Sequence, residues 1–158
     1  MMIIRSVILL LYSSVPLASE VVDVSAKNCR HGLNQPVGGD FAVFIFCDDA
    51  LGTQLGVIYQ KPGVGPAEKN TDWSNVKRFW QEGPWMIDVV QIVWSESKDY
   101  MYLTTSPIYG DGSFYELDLR HRKATKLLDR NKENQLIRID RVQAGTLWVN
   151  GISFTMKD

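Results

Sequence analysis

The histidines and aspartates are the side chains of this chain best suited to acid–base or metal chemistry. The two histidines are His31 and His121, and His121 lies in a polar Arg-His-Arg-Lys stretch that is typical of a solvated hairpin turn. The sequence holds no Gly-x-Ser-x-Gly nucleophile motif, no His-Glu-x-x-His zinc motif and no glycine-rich phosphate loop. Catalysis needs several groups in a built site. We therefore expect no catalytic residues, no bound metal and no cofactor.

Three aspartates lie in predicted turns. Asp48 and Asp49 are adjacent, and with Asp111 they could bind a hard cation through their carboxylate oxygens. Aspartates in turns more often accept hydrogen bonds from their own backbone. We expect them to cap their turns, with Asp49 also offering a polar contact to a partner. A divergent enzyme that uses these carboxylates is an alternative, and metal-dependent activity would favour it.

Residues 1–19 have the order of a secretory signal peptide. Arg5 precedes an apolar stretch at 7–12, and small or turn-forming residues follow at 13–19. The apolar stretch is far shorter than the roughly 20 residues of a membrane-spanning helix. We predict cleavage after Ser19 and a periplasmic or secreted chain that does not span the membrane. Residues 20–158 then form a single β domain.

Cys29 and Cys47 both lie in the predicted mature chain. An even number of cysteines in an exported protein predicts a disulfide. In the chain-entropy description, closing this loop stabilises the fold by about 3 kcal/mol. A thiol metal site with His31 is the alternative, but two cysteines and one histidine do not complete a structural zinc set.

Composition excludes one class of partner. The net charge is −1 and no basic stripe is present, so we expect no nucleic-acid partner. The chain is 45% hydrophobic and contains five tryptophans, which is enough apolar surface for a packed core. Tryptophan is also favoured at protein interfaces.

Short apolar and alternating runs predict a strand-rich chain. Turn residues separate most of these runs, and Asn150-Gly151 fits a two-residue hairpin because both residues tolerate positive φ. The predicted strands are 41–47, 54–60, 86–94, 100–105, 113–119, 124–128, 136–142, 146–149 and 152–156. The last of these could be an exposed edge to which a partner or a second copy adds.

One short helix interrupts the strands. Asp72 can cap a helix over 73–82, and Gly83 would end it. Trp73, Trp80 and Trp85 accompany this helix and would either cover an open sheet face or form a second binding surface.

Two parts of the chain share one pattern. When Phe41 is placed on Tyr100 without gaps, the apolar run 41–46 coincides with 100–105 and the turn 47–53 coincides with 106–112. Gln54 then falls on Ser113, at the start of the next strand. Repetition at a fixed offset is typical of stacked sheets.

The stretch from Val93 to Leu103, Val-Trp-Ser-Glu-Ser-Lys-Asp-Tyr-Met-Tyr-Leu, resembles the β-propeller repeats of the TolB and WD40-like type. Those repeats have Trp-Ser-Pro-Asp-Gly-Lys before an aromatic-rich strand; here Glu96 and Ser97 depart from that pattern. Tyr115-Glu-Leu-Asp-Leu119 resembles the strand after it. A closed propeller needs at least about four blades. The resemblance therefore implies an all-β fold of two degenerate blades, or two packed antiparallel sheets, with one short helix between them.

The layout is also similar to that of periplasmic immunity proteins that neutralise peptidoglycan amidases delivered by type VI secretion. The shared features are an exported all-β chain, a disulfide and a Ser/Gly-rich loop, here Gly110-Asp-Gly-Ser113. This resemblance implies that the loop enters the active cleft of a toxin, where a serine hydroxyl contacts the catalytic histidine. The matching residue is Ser113, with Ser106 as a second candidate.

The loop 106–112 is long for a hairpin connection, where two to five residues are usual. A turn that only reverses the chain needs neither Ile108 nor Tyr109, so we expect Tyr109 to anchor a partner. Asp111, Ser113 and Asp49 would add polar contacts. Alternatively, Ile108 and Tyr109 fold back over the core.

Taken together, these patterns predict an exported, non-enzymatic binding protein. The most specific expectation is inhibition of a cell-wall hydrolase toxin by the loop at 106–113. A structural envelope module that binds peptidoglycan or a membrane-associated complex is the alternative.

Overall fold

The computed structural model describes residues 19–30, 32–34, 36, 38–48, 50, 52–59, 87–108, 110–129 and 136–158. All regular secondary structure within these ranges is β-strand, which confirms the predicted all-β class. The eleven strands are β1 Val22–Asp23, β2 Gly32–Asn34, β3 Phe41–Asp48, β4 Gly52–Tyr59, β5 Val89–Trp94, β6 Tyr100–Thr105, β7 Phe114–Asp118, β8 Lys123–Leu128, β9 Ile139–Gln143, β10 Thr146–Val149 and β11 Ile152–Thr155. The helix predicted over 73–82, the tryptophans beside it and most of the predicted signal peptide lie outside the described residues.

The strands form three antiparallel sheets instead of the expected two. The central sheet has the order β1-β5-β6-β7-β8, the first sheet β2-β3-β4 and the third sheet β11-β10-β9. Within the described residues each hairpin stays in one sheet, and the C-terminal strands β9, β10 and β11 pair with one another. The central sheet contains a four-stranded meander, β5 to β8, with the short N-terminal strand β1 added beside β5.

Both faces of the central sheet are covered. One face packs against Phe41, Val43 and Ile45 of β3, and the other packs against residues of the third sheet such as Leu147 and Val149. Every residue of β5 is buried, as are all but the first of β6 and all but the last of β7. The two-sided cover is why these strands are apolar or aromatic almost throughout.

A β-bulge at Val90 changes which face of the central sheet the next side chains of β5 point to. Val89 pairs with Thr105 and Gln91 pairs with Thr104. Between these two pairs β5 therefore contains one residue more than β6. Side chains alternate strictly along a regular strand, and one extra residue shifts that alternation. Because of the bulge, Val89 and Ile92 face the same side, toward the first sheet.

The predicted C-terminal hairpin is confirmed in its turn geometry. Asn150 has a φ of 47° and Gly151 a φ of 77°, the positive values that a two-residue turn requires. Ala144 and Gly145 repeat this geometry between β9 and β10, with φ values of 47° and 71°. Two tight turns thus make the third sheet a compact meander.

The predicted disulfide is also present. Cys29 and Cys47 are bonded, with their Cα atoms 5.8 Å apart. The bond ties the segment after β1 to the end of β3, so it links the N-terminal part of the central sheet to the first sheet.

Polar contacts between described residues join the stacked sheets at several places. The side-chain amide of Gln91 accepts a hydrogen bond from the backbone N–H of Ile139 at 2.8 Å and donates to its carbonyl at 3.2 Å. Arg120 forms ion pairs with Asp99 at 2.5 Å and Asp40 at 3.3 Å, which joins the central sheet to the segment before β3.

Another such contact holds the C-terminal segment over the central sheet. The carboxylate of Glu116, which is only 5% exposed, accepts hydrogen bonds from Lys157 Nζ at 2.6 Å and from the Tyr102 hydroxyl at 3.1 Å. Burial raises the pKa of Tyr102, so this hydroxyl stays protonated and continues to donate.

Candidate functional site

The loop between β6 and β7, residues 106–113, is held firmly at its base. The Thr105 N–H donates to the Ser113 carbonyl at 3.0 Å, and the Ser113 N–H donates to Thr105 Oγ1, also at 3.0 Å. The Ser106 N–H donates to the carbonyl of Asp88 at 2.7 Å, just before β5. Both ends of the loop are therefore fixed to the central sheet.

Two further hydrogen bonds within the loop converge on Ser106. The Gly110 N–H donates to the Ser106 carbonyl at 3.0 Å, and the Ile108 N–H donates to Ser106 Oγ at 3.2 Å. A Cβ on Gly110 would lie 2.5 Å from the carbonyl oxygen of Ile87 and 2.7 Å from that of Ser106. Only glycine fits at this close approach of three backbone segments.

The carboxylate of Asp111 is the polar centre of the loop. Thr105 Oγ1 donates to it at 2.8 Å, Lys126 Nζ lies 2.9 Å away, and the hydroxyl of Tyr115 also donates to it. Lys126 in addition lies over the Tyr115 ring, 5.7 Å from its centroid. Three donors from β6, β7 and β8 thus converge on one loop carboxylate, and we call this set of four residues the Asp111 cluster.

The hydrogen bonds of the Asp111 cluster shift the pKa values of Asp111, Lys126 and Tyr115. Burial opposes ionisation of Asp111, but hydrogen bonds from Tyr115, Lys126 and Thr105 hold the pKa of its carboxyl below the usual value. The hydrogen bond to Asp111 raises the pKa of Lys126. Burial, together with the bond to Asp111, raises the pKa of Tyr115 to about 12. At neutral pH the cluster therefore contains a carboxylate, an ammonium group and a neutral phenol.

Ile108 stands at the exposed tip of this loop. It is 74% exposed, more than Ile152 at 49% or Leu136 at 36%, the other exposed large apolar side chains among the described residues. The alternative that Ile108 folds back over the core is therefore wrong. Tyr109, its expected companion, lies outside the described residues.

The two candidate serines face inward. Ser113 is fully buried, and its hydroxyl donates to Asp129 Oδ1 at 3.0 Å. Ser106 is 7% exposed, and its hydroxyl accepts the bond from Ile108. Both hydroxyls build the loop in this structure. Asp111 keeps 41% of its side chain exposed, and Asp49 lies outside the described residues.

The sequence did not predict that Thr105, Tyr115 and Lys126 hold the loop. Tyr115 and Lys126 are cross-strand partners on β7 and β8, and Thr105 ends β6. Their convergence on Asp111 depends on strand register, including a bulge between Phe114 and Tyr115 that shifts the pairing with β8. No short sequence motif carries that information.

Among the described residues, His121 lies apart from the Asp111 cluster. His121 is 78% exposed in its side chain, and its Nδ1 lies 2.9 Å from Asp118 Oδ2, within its own turn. Among the residues that the structure describes, no group of three or more histidines, cysteines, aspartates or glutamates could hold a metal ion. The same residues include no helix long and apolar enough to cross a membrane.

One cavity of about 520 Å³ lies beside the disulfide. Polar groups of Asp23, Lys27, Arg30 and Asn34 line it. Two of these groups are engaged within the chain, because Asp23 accepts a bond from the Ser25 N–H at 2.9 Å and Asn34 accepts one from the Trp94 indole at 2.8 Å.

No protein-family model, curated protein or solved structure matches the chain. Function therefore has to be argued from the geometry and chemistry of the site itself. The loop at 106–113 is the feature in which exposure, rigidity and charge coincide.

Proposed function

We propose that this chain is an exported, non-enzymatic binding protein that inserts the loop at 106–113 into the cleft of a partner. The observation that carries the proposal is Ile108, 74% exposed at the tip of a loop whose base is fixed by the Asp111 cluster. A loop already fixed in one conformation loses little conformational entropy on binding. Rigid support of an exposed apolar residue is what a binding loop requires.

The fold itself gains little from Ile108. A side chain left this exposed contributes almost no apolar burial, whereas full burial of an isoleucine in a partner's pocket is worth roughly 1.5–3 kcal/mol. Covering Ile108 in a partner's pocket would therefore add apolar burial that the free chain lacks. This difference favours a binding role over simple chain reversal.

The partner we propose is a peptidoglycan amidase toxin, which the chain would neutralise in the periplasm. Support comes from the resemblance in layout to immunity proteins of that class and from the disulfide, since such bonds persist in oxidising compartments. The loop would act by filling the active cleft and excluding substrate, with no cofactor. Because the Ser113 hydroxyl is engaged with Asp129, we assign the leading contact to Ile108.

A capture and inhibition experiment tests this function. Immobilised residues 20–158 are exposed to periplasmic extract, the captured protein is identified, and its hydrolysis of purified peptidoglycan sacculi is measured with and without the chain. The proposal predicts capture of one hydrolase and loss of its activity near equimolar addition. A chain that sediments with sacculi alone and leaves hydrolysis unchanged would instead be a structural envelope module, and the inhibitor proposal would be wrong.

A further inference from the structure

The direction of the backbone groups of β11 follows from the hairpin register. Val149 pairs with Ile152 and Leu147 with Phe154, and the next bond, from the Met156 N–H to the Gly145 carbonyl, is 2.8 Å long. In an antiparallel pair, alternate residues exchange hydrogen bonds with the neighbour. Ile152, Phe154 and Met156 therefore bond to β10.

The intervening residues, Ser153 and Thr155, direct their N–H and C=O groups away from the sheet. β11 is the last strand of the third sheet. Among the described residues, nothing pairs with these outward groups. They form a free edge two residues long.

The free edge is limited at both ends. The Gly151 N–H donates to Asp140 Oδ2 at 2.8 Å, and the Lys157 N–H donates to the Tyr102 hydroxyl at 2.8 Å. These two amides belong to the same outward series as Ser153 and Thr155, but they are satisfied within the chain. Among the described residues of this outward series, Ser153 and Thr155 therefore offer a free N–H as well as a free C=O, whereas the N–H groups of Gly151 and Lys157 are occupied.

β11 also lacks the features that usually protect an edge. Its sequence is Ile-Ser-Phe-Thr, without charge or proline, and its pairing with β10 is regular. The opposite edge of the same sheet, β9, carries Asp140 and Arg141 and a register irregularity. The β8 edge of the central sheet carries Lys123 and Lys126 and a bulge. Charges and bulges are the common means of blocking edge pairing.

We propose that β11 pairs with β11 of a second copy of this chain about a two-fold axis. Antiparallel pairing places Ser153 opposite the partner's Thr155 and Phe154 opposite the partner's Phe154. This is the single symmetric register in which every outward group of both strands finds a partner, because a shift in either direction places one of them opposite the occupied amide of Gly151 or Lys157.

The edge is complementary to itself, which favours a second copy over an unrelated strand. Ser153 and Thr155 lie symmetrically about Phe154, and their pairing with the partner's Thr155 and Ser153 yields four hydrogen bonds. The pairing also places Ile152, 49% exposed, opposite the partner's Met156 and so covers apolar surface. The two third sheets would become one continuous sheet of six strands.

Sedimentation equilibrium of residues 20–158 over a range of concentrations tests the dimer. The decisive variant is Ser153→Pro, which removes an outward N–H and leaves the bonds to β10 intact. Ser153→Ala, which keeps that N–H, is the matched control. We expect native protein and Ser153→Ala to dimerise alike, and Ser153→Pro to dimerise at least about tenfold more weakly, a difference of about 1.4 kcal/mol. Thr155→Lys, which adds a charge to the edge, should have the same effect if Ser153→Pro does not fold.

Cysteine cross-linking tests the register. In the proposed pairing, Ser153 and the partner's Thr155 have Cα atoms about 5.5 Å apart, within disulfide range. A mixture of Ser153→Cys and Thr155→Cys proteins should form cross-linked dimers on oxidation, while each variant alone should not. Native protein that stays monomeric at every concentration, equal dimerisation by Ser153→Pro, or cross-linking of one variant alone would each overturn the proposal.

Discussion

Tyr115 donates its hydroxyl hydrogen bond to the carboxylate of Asp111, four residues earlier in the chain, and so fastens the loop at 106–113 to β7. The bond should be strong because its acceptor is charged. Tyr115→Phe removes it while Asp111 keeps Thr105 and Lys126. We expect the free energy of unfolding, measured by urea denaturation, to fall by about 1–2 kcal/mol.

Tyr100→Phe is the matched control for this change, because Tyr100 contacts Lys157 through its ring face, which phenylalanine retains. Its effect should stay within about 0.5 kcal/mol. If the two variants are equally stable, the hydroxyl of Tyr115 does not hold the loop.

The same bond predicts a loss of stability at alkaline pH. The pKa of Tyr115 is raised to about 12 in the folded protein, mainly by burial and then by Asp111, against about 10 in the unfolded chain. A raised pKa contributes stability that is fully present below pH 10 and lost as pH rises toward 12. The stability difference between native protein and Tyr115→Phe should therefore shrink over that interval in denaturation curves. A difference that stays constant from pH 9 to pH 12 would be inconsistent with the raised pKa.

Gly52 should tolerate alanine much less well than Gly145. Both glycines have left-handed backbone, with φ values of 70° and 71°, so each alanine variant bears a backbone cost of roughly 1–2 kcal/mol. A Cβ on Gly52 would also overlap the carboxyl group of Asp88, whereas one on Gly145 meets nothing within 4 Å. We expect Gly52→Ala to lower the free energy of unfolding by about 1–3 kcal/mol more than Gly145→Ala. Equal losses would mean that Asp88 moves aside freely.

The link between Gln91 and Ile139 should stabilise the third sheet against the central one. Gln91→Leu would leave the buried N–H and carbonyl of Ile139 without partners, at a cost of about 2–4 kcal/mol in the free energy of unfolding. Amide exchange in β9 to β11 should also accelerate. Thr104→Val is the control, since its bond to Gln91 is long at 3.5 Å and should matter little. Equal exchange rates in the two variants would argue against the link.

The sequence predicts the bounds of a strand well where neighbouring turn residues set the ends of that strand. The bounds of β6 and β10 agree with prediction, and the Asn150-Gly151 turn fixes the start of β11. β5 begins three residues later than its apolar run suggests, because Asp88 has a φ of 59°, which no regular strand adopts. A local sequence pattern indicates the Asn150-Gly151 turn, but it does not indicate the positive φ of Asp88.

Longer-range pairing explains what the sequence leaves open. The segment before β9 bonds to the side chain of Asn150 instead of a neighbouring strand, through the Arg138 N–H at 2.9 Å and the Leu136 carbonyl at 3.3 Å. The gap-free repeat pairs two similar hairpins, yet one belongs to a three-stranded sheet and the other to a sheet of five. The buried hydroxyl of Ser113 likewise bonds to Asp129, sixteen residues further along the chain.

The most direct test of the proposed function is the affinity of Ile108→Ala for the captured hydrolase, measured by calorimetry beside native protein and Leu136→Ala. Leu136 is the control because it is another exposed apolar side chain, 36% exposed, outside the loop. We predict that Ile108→Ala binds at least about tenfold more weakly while its free energy of unfolding changes by less than about 0.5 kcal/mol, and that Leu136→Ala binds like native protein. Undiminished affinity of Ile108→Ala would contradict the account.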